Sequence, residues 1–330
     1  MSSKGKTEPC SLGVAFGYES TLYAFPPPHP FNSSRLDSFT ESLRRISLDN
    51  GGSITIERPS SASEEELLLF HILEYVDLVK SKSKTGEGYL DYGDTPSYRG
   101  VYEAALFTVG STLRGLDQVL EHSKFDHYFN PVGGLHHARR ERAGGFCVFD
   151  DCAIAITKAL KRFDRVAYVD IDCHHGDGVF YGFEYDPRVI IGDIHEDGRY
   201  LYPGTGFANE TGKGDARGTK LNIPLLPGSG DPEFIQAFDR IESFVRSFKP
   251  EFIFFQCGAD GLTGDPITHL QYSSVAHAHA ARRLHKLSHE LCEGRILAMG
   301  GGGYNAQNIN DAWSSVIFEL SSLSEKEKKQ

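Results

Sequence analysis

Two aspartates and a histidine at alternate positions, Asp170, Asp172 and His174, close the apolar run Val166-Ala167-Tyr168-Val169 and lead into His175-Gly176-Asp177-Gly178. In an extended strand alternate side chains share a face, so the three can point the same way at the strand's carboxyl end. Their convergence would be costly without a cation. Two carboxylates and an imidazole suit a borderline divalent ion such as zinc, whose charge the carboxylates would cancel. An acidic turn after a strand would carry the same letters, so the weight falls on the residues that close the other strands.

Asp260, in Gly258-Ala259-Asp260 after the run Phe252 to Phe255, is a candidate third ligand beside Asp172 and His174. A lone Asp there could equally cap a helix, but a catalytic zinc needs three protein ligands and one open position. His136 and His137 follow Gly133-Gly134-Leu135. Being adjacent, they cannot chelate one ion unless the backbone turns sharply, so they read as proton handlers, with Asp170 and Asp177 each available to accept from one imidazole and fix its tautomer. Gly300-Gly301-Gly302-Gly303 precedes Tyr304-Asn305. It lacks the G-x-G-x-x-G spacing and the Lys-Ser/Thr pair of a phosphate loop, whereas flexible glycines would let the Tyr304 phenol reach a developing oxyanion.

The elements that must position these groups are legible as apolar runs. Buried parallel strands are expected at Leu12 to Phe16, Tyr128 to Pro131, Val166 to Ile171, Val189 to Ile194, Phe252 to Phe255 and Ile296 to Met299. Between them helical patterns are expected from a Ser63/Glu66 capping box onward and around 100–122, 150–163, 232–247, 273–292 and 306–322. Alternation of this kind predicts an α/β fold, a single domain with a central parallel sheet flanked by helices on both faces. In such sheets ligands bind beyond the carboxyl ends of the strands, where all four polar clusters fall. The stretches Ser81 to Gly100 and Gly192 to Gly218 read as long connections.

The 330 residues are 39% apolar and 24% charged, ordinary for a globular protein. No apolar run is long enough to span a bilayer, and the polar Met1 to Pro9 lacks a signal core, so a cytoplasmic location is expected and a membrane is not. The net charge of −11 disfavours direct nucleic-acid binding. Six cysteines without C-x-x-C spacing argue against both a disulfide framework and a cysteine zinc site.

Gly133-Gly134-Leu135-His136-His137-Ala138, Gly144-Gly145-Phe146-Cys147, Asp170 to Gly178, Gly258-Ala259-Asp260 and Gly301-Gly302-Gly303-Tyr304-Asn305 together resemble the zinc-dependent histone deacetylase family. The resemblance runs in order over roughly residues 12 to 320. It is nearest to the bacterial and archaeal members, which include acetoin-utilization proteins and acetylpolyamine amidohydrolases. It implies the arginase-deacetylase fold for a deacetylase domain over 11–322, with a flexible tail over 1–10 and a frayed one over 323–330. It places the metal, Zn2+ with Fe2+ as the alternative, on Asp172, His174 and Asp260. It pairs His136 with Asp170 and His137 with Asp177, and makes Tyr304 the transition-state donor.

The resemblance further implies Gly145 and Phe146 as acyl-channel wall and Asp94 as an acceptor for substrate backbone. Several positions depart from the family pattern. Leu135 replaces a common tryptophan, and Tyr202 a channel phenylalanine. Ile267 stands where polyamine-selective relatives carry a glutamate, leaving Glu196 and Asp197 as other sources of acidity. Asp193 replaces a serine that helps hold a structural K+, so a monovalent cation near Asp170, Asp172, His174 and Asp193 is implied with altered coordination.

The chemistry so implied is hydrolysis of the amide of an acyl-lysine side chain in a protein or peptide. His137 is the base and then the acid, His136 gives electrostatic support, and Tyr304 donates to the oxyanion. A small N-acyl amine such as an acetylpolyamine is the alternative substrate. A binuclear manganese ureohydrolase would need further Asp-rich ligands where His136 and His137 stand. A binding module without turnover would have lost ligands, histidines or tyrosine, and all are present. The sequence sets no oligomeric state.

Overall fold

The structure is a computed structural model that describes residues 9–49, 53–120 and 124–322. The tails predicted over 1–10 and 323–330, apart from Pro9 and Cys10, lie outside the described residues, as do 121 and 122 of one predicted helix. Eight strands form one sheet: β1 (Leu12–Ala15), β2 (Ile54–Glu57), β3 (His127–Asn130), β4 (Val166–Asp170), β5 (Val189–Glu196), β6 (Lys220–Leu225), β7 (Ile253–Gln256) and β8 (Ile296–Met299). Their order across the sheet is β2-β1-β3-β8-β7-β4-β5-β6, and every pair is parallel.

The inner strands are short and apolar, and every residue of β1, β3, β4, β5, β7 and β8 is buried, as a sheet covered on both faces requires. The helices are α1 (Asp37–Asp49), α2 (Glu64–Leu67), α3 (Leu73–Thr85), α4 (Val101–Leu120), α5 (Asp151–Ala159), α6 (Asp177–Gly182), α7 (Asp231–Phe248), α8 (Ser274–Leu291) and α9 (Ala306–Ser321). One group packs in the succession α1, α9, α8, α7 and another in the succession α3, α4, α5, α6.

Both edge strands escaped the sequence reading. In β2 only Ile54 is buried, and β6 carries Pro224, which costs a ladder hydrogen bond and belongs at an edge. The strand expected over Val189 to Ile194 runs two residues further, through His195 and Glu196, into the stretch expected as a connection. The Ser63/Glu66 capping box exists, with Glu66 N donating to Ser63 Oγ at 3.3 Å and Ser63 N to Glu66 Oε2 at 2.9 Å. It starts only one turn. The chain then leaves the helix to bond the 139–140 loop, His71 Nδ1 lying 3.0 Å from Arg139 O and Ile72 N donating to Arg140 O at 3.0 Å, before α3 begins. The polar helix α1 was not foreseen; its Phe39 packs edge-on to Trp313 of α9 at 5.3 Å.

The strand order decides where the site lies. The loops after β3, β8, β7 and β4 carry the tandem histidines, the glycine run with Tyr304, Asp260 and the Asp172-His174 pair, and these are four consecutive neighbours in the sheet.

Candidate active site

Asp172, His174 and Asp260 meet just above β4 and β7, with 1%, 6% and 0% of their surfaces exposed. His174 Nδ1 lies 2.9 Å from Asp260 Oδ2 and 3.1 Å from Asp172 Oδ1. The carboxylates are held from behind: Asp172 Oδ2 accepts from Gln256 Nε2 at 2.9 Å and from Gly302 N at 2.8 Å, and Asp260 Oδ1 accepts from Cys173 N at 2.8 Å. Burial disfavours charge on His174, but the Asp260 and Asp172 carboxylates overcome it and lift the ring to about 10. Burial, with Asp172 beside it, pushes Asp260 up to about 7. A dry cluster with this demand for positive charge is one that a divalent cation satisfies in place of a proton, and the donor set fits zinc. These three also form one of two groups, among the described residues, whose ligand atoms all lie within 4.8 Å of one another.

Asp170, read at first with the ligands on one face of the strand, turns to other work. His136 Nδ1 sits 2.7 Å from Asp170 Oδ2, which also accepts from Tyr168 Oη at 2.7 Å. His137 Nδ1 sits 2.7 Å from Asp177 Oδ1, the first residue of α6, and Arg139 Nη2 donates to Asp177 Oδ2 at 2.5 Å. Asp177 fixes the Nδ1–H tautomer of His137, and each carboxylate turns the Nε2 of its imidazole toward the cleft. The loop bends at Gly134, with φ +88°, and Gly134 N and Leu135 N donate to the buried Asp151 at 3.1 and 2.8 Å. Burial lowers both rings, but the Asp170 and Asp172 charges raise His136 well above its ordinary value; His137, desolvated and beside a charged His136, falls to about 4. The pair therefore carries one charge, on His136.

The glycine run is a close-packed wall rather than the flexible hinge expected. A Cβ on Gly302 would strike Asp260 Oδ2, and one on Gly258 would strike Asp172 Oδ2. Buried Arg35 pins the run, donating from Nε to Gly303 O at 2.9 Å and from Nη2 to Gly301 O at 2.7 Å. Tyr304 N donates to Asp265 Oδ2 at 2.8 Å. Burial and the Asp260 and Asp172 carboxylates raise the Tyr304 phenol well above its ordinary value, so it stays a donor. The Tyr304 ring lies 5.9 Å from that of Phe146 and 6.3 Å from that of Phe31.

A narrow cleft reaches Asp172 and His174 past His136, His137, Gly145, Leu135 and Tyr304. Gly145 has φ +52°, and a Cβ there would strike His137; Phe146 has φ +68° and donates its N–H to Thr95 Oγ1 at 3.1 Å. Outside it lies a cavity of about 440 Å3 lined by Asp94, Tyr202 and Arg142 among others. The Tyr202 ring is 5.1 Å from that of His137. Asp91 Oδ1 accepts the N–H groups of Gly93, Asp94 and Thr95 at 2.9, 3.1 and 3.0 Å, setting the turn that presents Asp94. Burial, then Asp91, raises Asp94 to about 7. Ile267 sits on the loop after β7, bonded through its N–H to Asp265, and lines neither cavity.

Asp193 has its carboxylate engaged: Oδ1 lies 2.6 Å from His195 Nδ1 and Oδ2 accepts from Gly176 N at 3.0 Å. Despite burial, the Asp193 carboxylate raises His195 above its ordinary value. Glu196 is buried against His269, with the His269 N–H and Nδ1 at 2.9 and 2.8 Å, and Asp197 is paired with Arg199. Neither offers the free acidity expected of it. Arg35, Arg139, Gln256 and Asp265 were missed in the sequence. Only Gln256, a polar residue ending an apolar strand, left a local signal.

The family model of the histone deacetylase domain matches residues 29–320. The chain is 40% identical over 311 residues to the acetoin utilization protein AcuC of Bacillus subtilis, covering 91% of this chain and 80% of that one. It is 34% identical over 325 residues to a probable deacetylase of Archaeoglobus fulgidus, covering 96% and 89%. Among solved structures, the HDA15 HD domain superposes with a TM-score of 0.86 at 27% identity, over 94% of this chain and 88% of that one. An HDAC homologue complexed with SAHA superposes with a TM-score of 0.81 at 28% identity, over 95% and 84%.

Proposed function

The chain belongs to the histone deacetylase family and is a deacetylase of that kind, and from this premise we propose that it is a zinc-dependent hydrolase of N-acyl-lysine side chains. The observation that carries the proposal is the convergence, in one buried cleft, of a three-residue donor set, two carboxylate-backed imidazoles and a phenol. Asp172, His174 and Asp260 would hold the ion, which when bound supplies Lewis-acid polarisation of the acyl carbonyl and of water.

The chain's own residues account for the remaining chemistry. His137 is neutral, with Nδ1–H committed to Asp177, so its Nε2 lone pair is the base that takes a proton from water and returns it to the leaving amine. His136, charged and backed by Asp170, opposes the negative charge that grows on the acyl carbon's oxygens. The Tyr304 hydroxyl donates to the same oxyanion. Gly145 in the cleft and Tyr202 in the outer cavity wall a passage suited to a slender aliphatic stem, with Phe146 packed behind on Tyr304, and Asp94 at the outer cavity accepts from substrate backbone N–H. Glu196 and Asp197, the acids that a polyamine reading would draw on, are already paired.

The test is turnover of a matched panel of acetyl-lysine peptides, longer acyl-lysine peptides and acetylpolyamines by purified chain of measured metal content. Highest kcat/KM on an acyl-lysine peptide, lost on chelation and restored by zinc, is expected. Preference for acetylpolyamines would overturn the substrate, and full activity without metal would overturn the mechanism.

A further inference from the structure

At the opposite end of the sheet from the cleft, the described residues hold a second group of converging ligands: Cys10, His127, His285 and His289. Cys10 precedes β1, His127 opens β3, and the two histidines occupy one face of the last turns of α8 at i and i+4. His127 and Asn130 end the same four-residue strand, so the group lies about 10–13 Å or more from the catalytic rim. Cys10, His127 and His285 are buried, with 5%, 0% and 3% of their surfaces exposed. A search for C-x-x-C spacing is blind to such a set, because one cysteine suffices when three imidazoles join it.

We propose that Cys10, His127, His285 and His289 form a second zinc site, structural in role, that ties the start of β1 and of β3 to the end of α8. His289 Nε2 lies 3.5 Å from Cys10 Sγ and 3.4 Å from His127 Nε2. A tetrahedral ion with N ligands at about 2.05 Å and an S ligand at about 2.3 Å holds S and N about 3.5 Å apart and two nitrogens about 3.35 Å apart. Both measured separations match. The ring centroid of His285 is 4.7 Å from that of His127 and 4.9 Å from that of His289.

His289 Nε2 faces both Cys10 Sγ and His127 Nε2, so three of the four ligand atoms point at one place. His285 Nδ1 lies 2.8 Å from Glu319 O, which fixes its proton there and leaves Nε2, buried and without a hydrogen bond, as a lone pair turned to the other rings. A backbone carbonyl behind a ligating imidazole is the usual support for a metal histidine. The Cys10 thiolate and the Asp126 carboxylate, whose field reaches both His127 and His285, would together balance a divalent charge.

The test uses the untagged, reduced, full-length chain titrated with Co2+. Ligation by Cys10 gives a thiolate-to-cobalt charge-transfer band in the near ultraviolet, which the Asp172, His174 and Asp260 set has no thiol to produce. The band is expected in the wild type, retained in Asp172→Ala and lost in Cys10→Ser. Zinc content is expected to fall by one ion per chain in Cys10→Ser and in His285→Ala. Wild type without the band, or a band that survives Cys10→Ser, overturns the proposal. Neither outcome depends on the catalytic reading, because the readout is spectroscopic and the Asp172→Ala arm removes the other ion.

Discussion

His136 Nε2 and His137 Nε2 lie 3.1 Å apart, although these are consecutive residues whose side chains would diverge in any regular strand. The turn at Gly134 aims both rings at one point, and Asp170 and Asp177 hold them from opposite sides. The two imidazoles thereby share one cleft with Tyr304.

Asp177→Asn removes the acceptor that fixes the His137 tautomer. We expect kcat to fall by about 10²-fold or more, the scale of general acid–base catalysis, with a smaller change in KM. Arg139→Met, which keeps the stem and loses the charge behind Asp177, should fall in the same direction and less far. Steady-state kinetics on both variants checks the order; equal rates in Asp177→Asn and wild type would remove His137 from the base's role.

Tyr304→Phe deletes one oxyanion donor and keeps the ring that packs on Phe146 and Phe31. The expected loss is about 10²–10³ in kcat, the usual cost of one such donor. Substrate affinity, measured by binding of an acyl-lysine peptide to the variant, should stay near wild type.

Asp260→Ala should reduce zinc by one ion per chain and abolish turnover, while the ion assigned to the Cys10 group remains. Elemental analysis alongside circular dichroism checks this. A folded variant with undiminished zinc would refute Asp260 as a ligand.

Asp94 is raised to about 7 by burial and by Asp91 beside it. It is neutral below that pH and ionised above it, so its capacity to accept from substrate N–H groups is present at high pH and lost as pH falls through about 7. The acidic limb of kcat/KM should carry this group, appearing mainly in KM. Asp94→Asn should raise KM and flatten that component, and a pH profile of the variant superposing on the wild type would count against the role.

Lys220, buried in β6, donates to the carbonyls of Asp186 and Val189 and to Thr219 Oγ1, yet burial lowers it to about 7. From about pH 7 up to the ordinary lysine value near 10.4 the unfolded chain keeps a proton that the folded chain has released. Stability from this group therefore rises with pH across that window, by up to about 1.4 kcal/mol per unit, and is flat below it. Urea unfolding at about pH 7.5 and 9.5 should show a more positive slope for wild type than for Lys220→Met; parallel slopes would show Lys220 charged throughout.

Local pattern alone carried much of the fold and of the site. The six inner strands announced themselves as apolar runs, because burial on both faces admits little else, and the residues closing them are those that gather in the candidate site. Pairs one or two residues apart, Asp172 with His174 and His136 with His137, were legible because their chemistry is written in the spacing. The edge strands β2 and β6 were not, since an edge tolerates polar residues and proline and so resembles a loop. The capping box at Ser63 was correctly read as a helix start, but not its end after one turn, because His71 and Ile72 are drawn off by a loop some 70 residues away.

The sequence by itself determined which residues had the chemistry to bind a metal or move a proton, and that they fell at strand ends. Only the tertiary structure decided which strand ends are neighbours: β8 and β7 insert between β3 and β4, and that order sets Asp260 and Tyr304 against Asp172 and His137. The same packing brought Arg35 to the glycine run 266 residues away and Cys10 to His289 across 279 residues. The physical reason is that a ligand set needs angstrom-scale convergence, and residues hundreds of positions apart acquire it from sheet order and helix packing, neither of which leaves a period or a spacing in the chain.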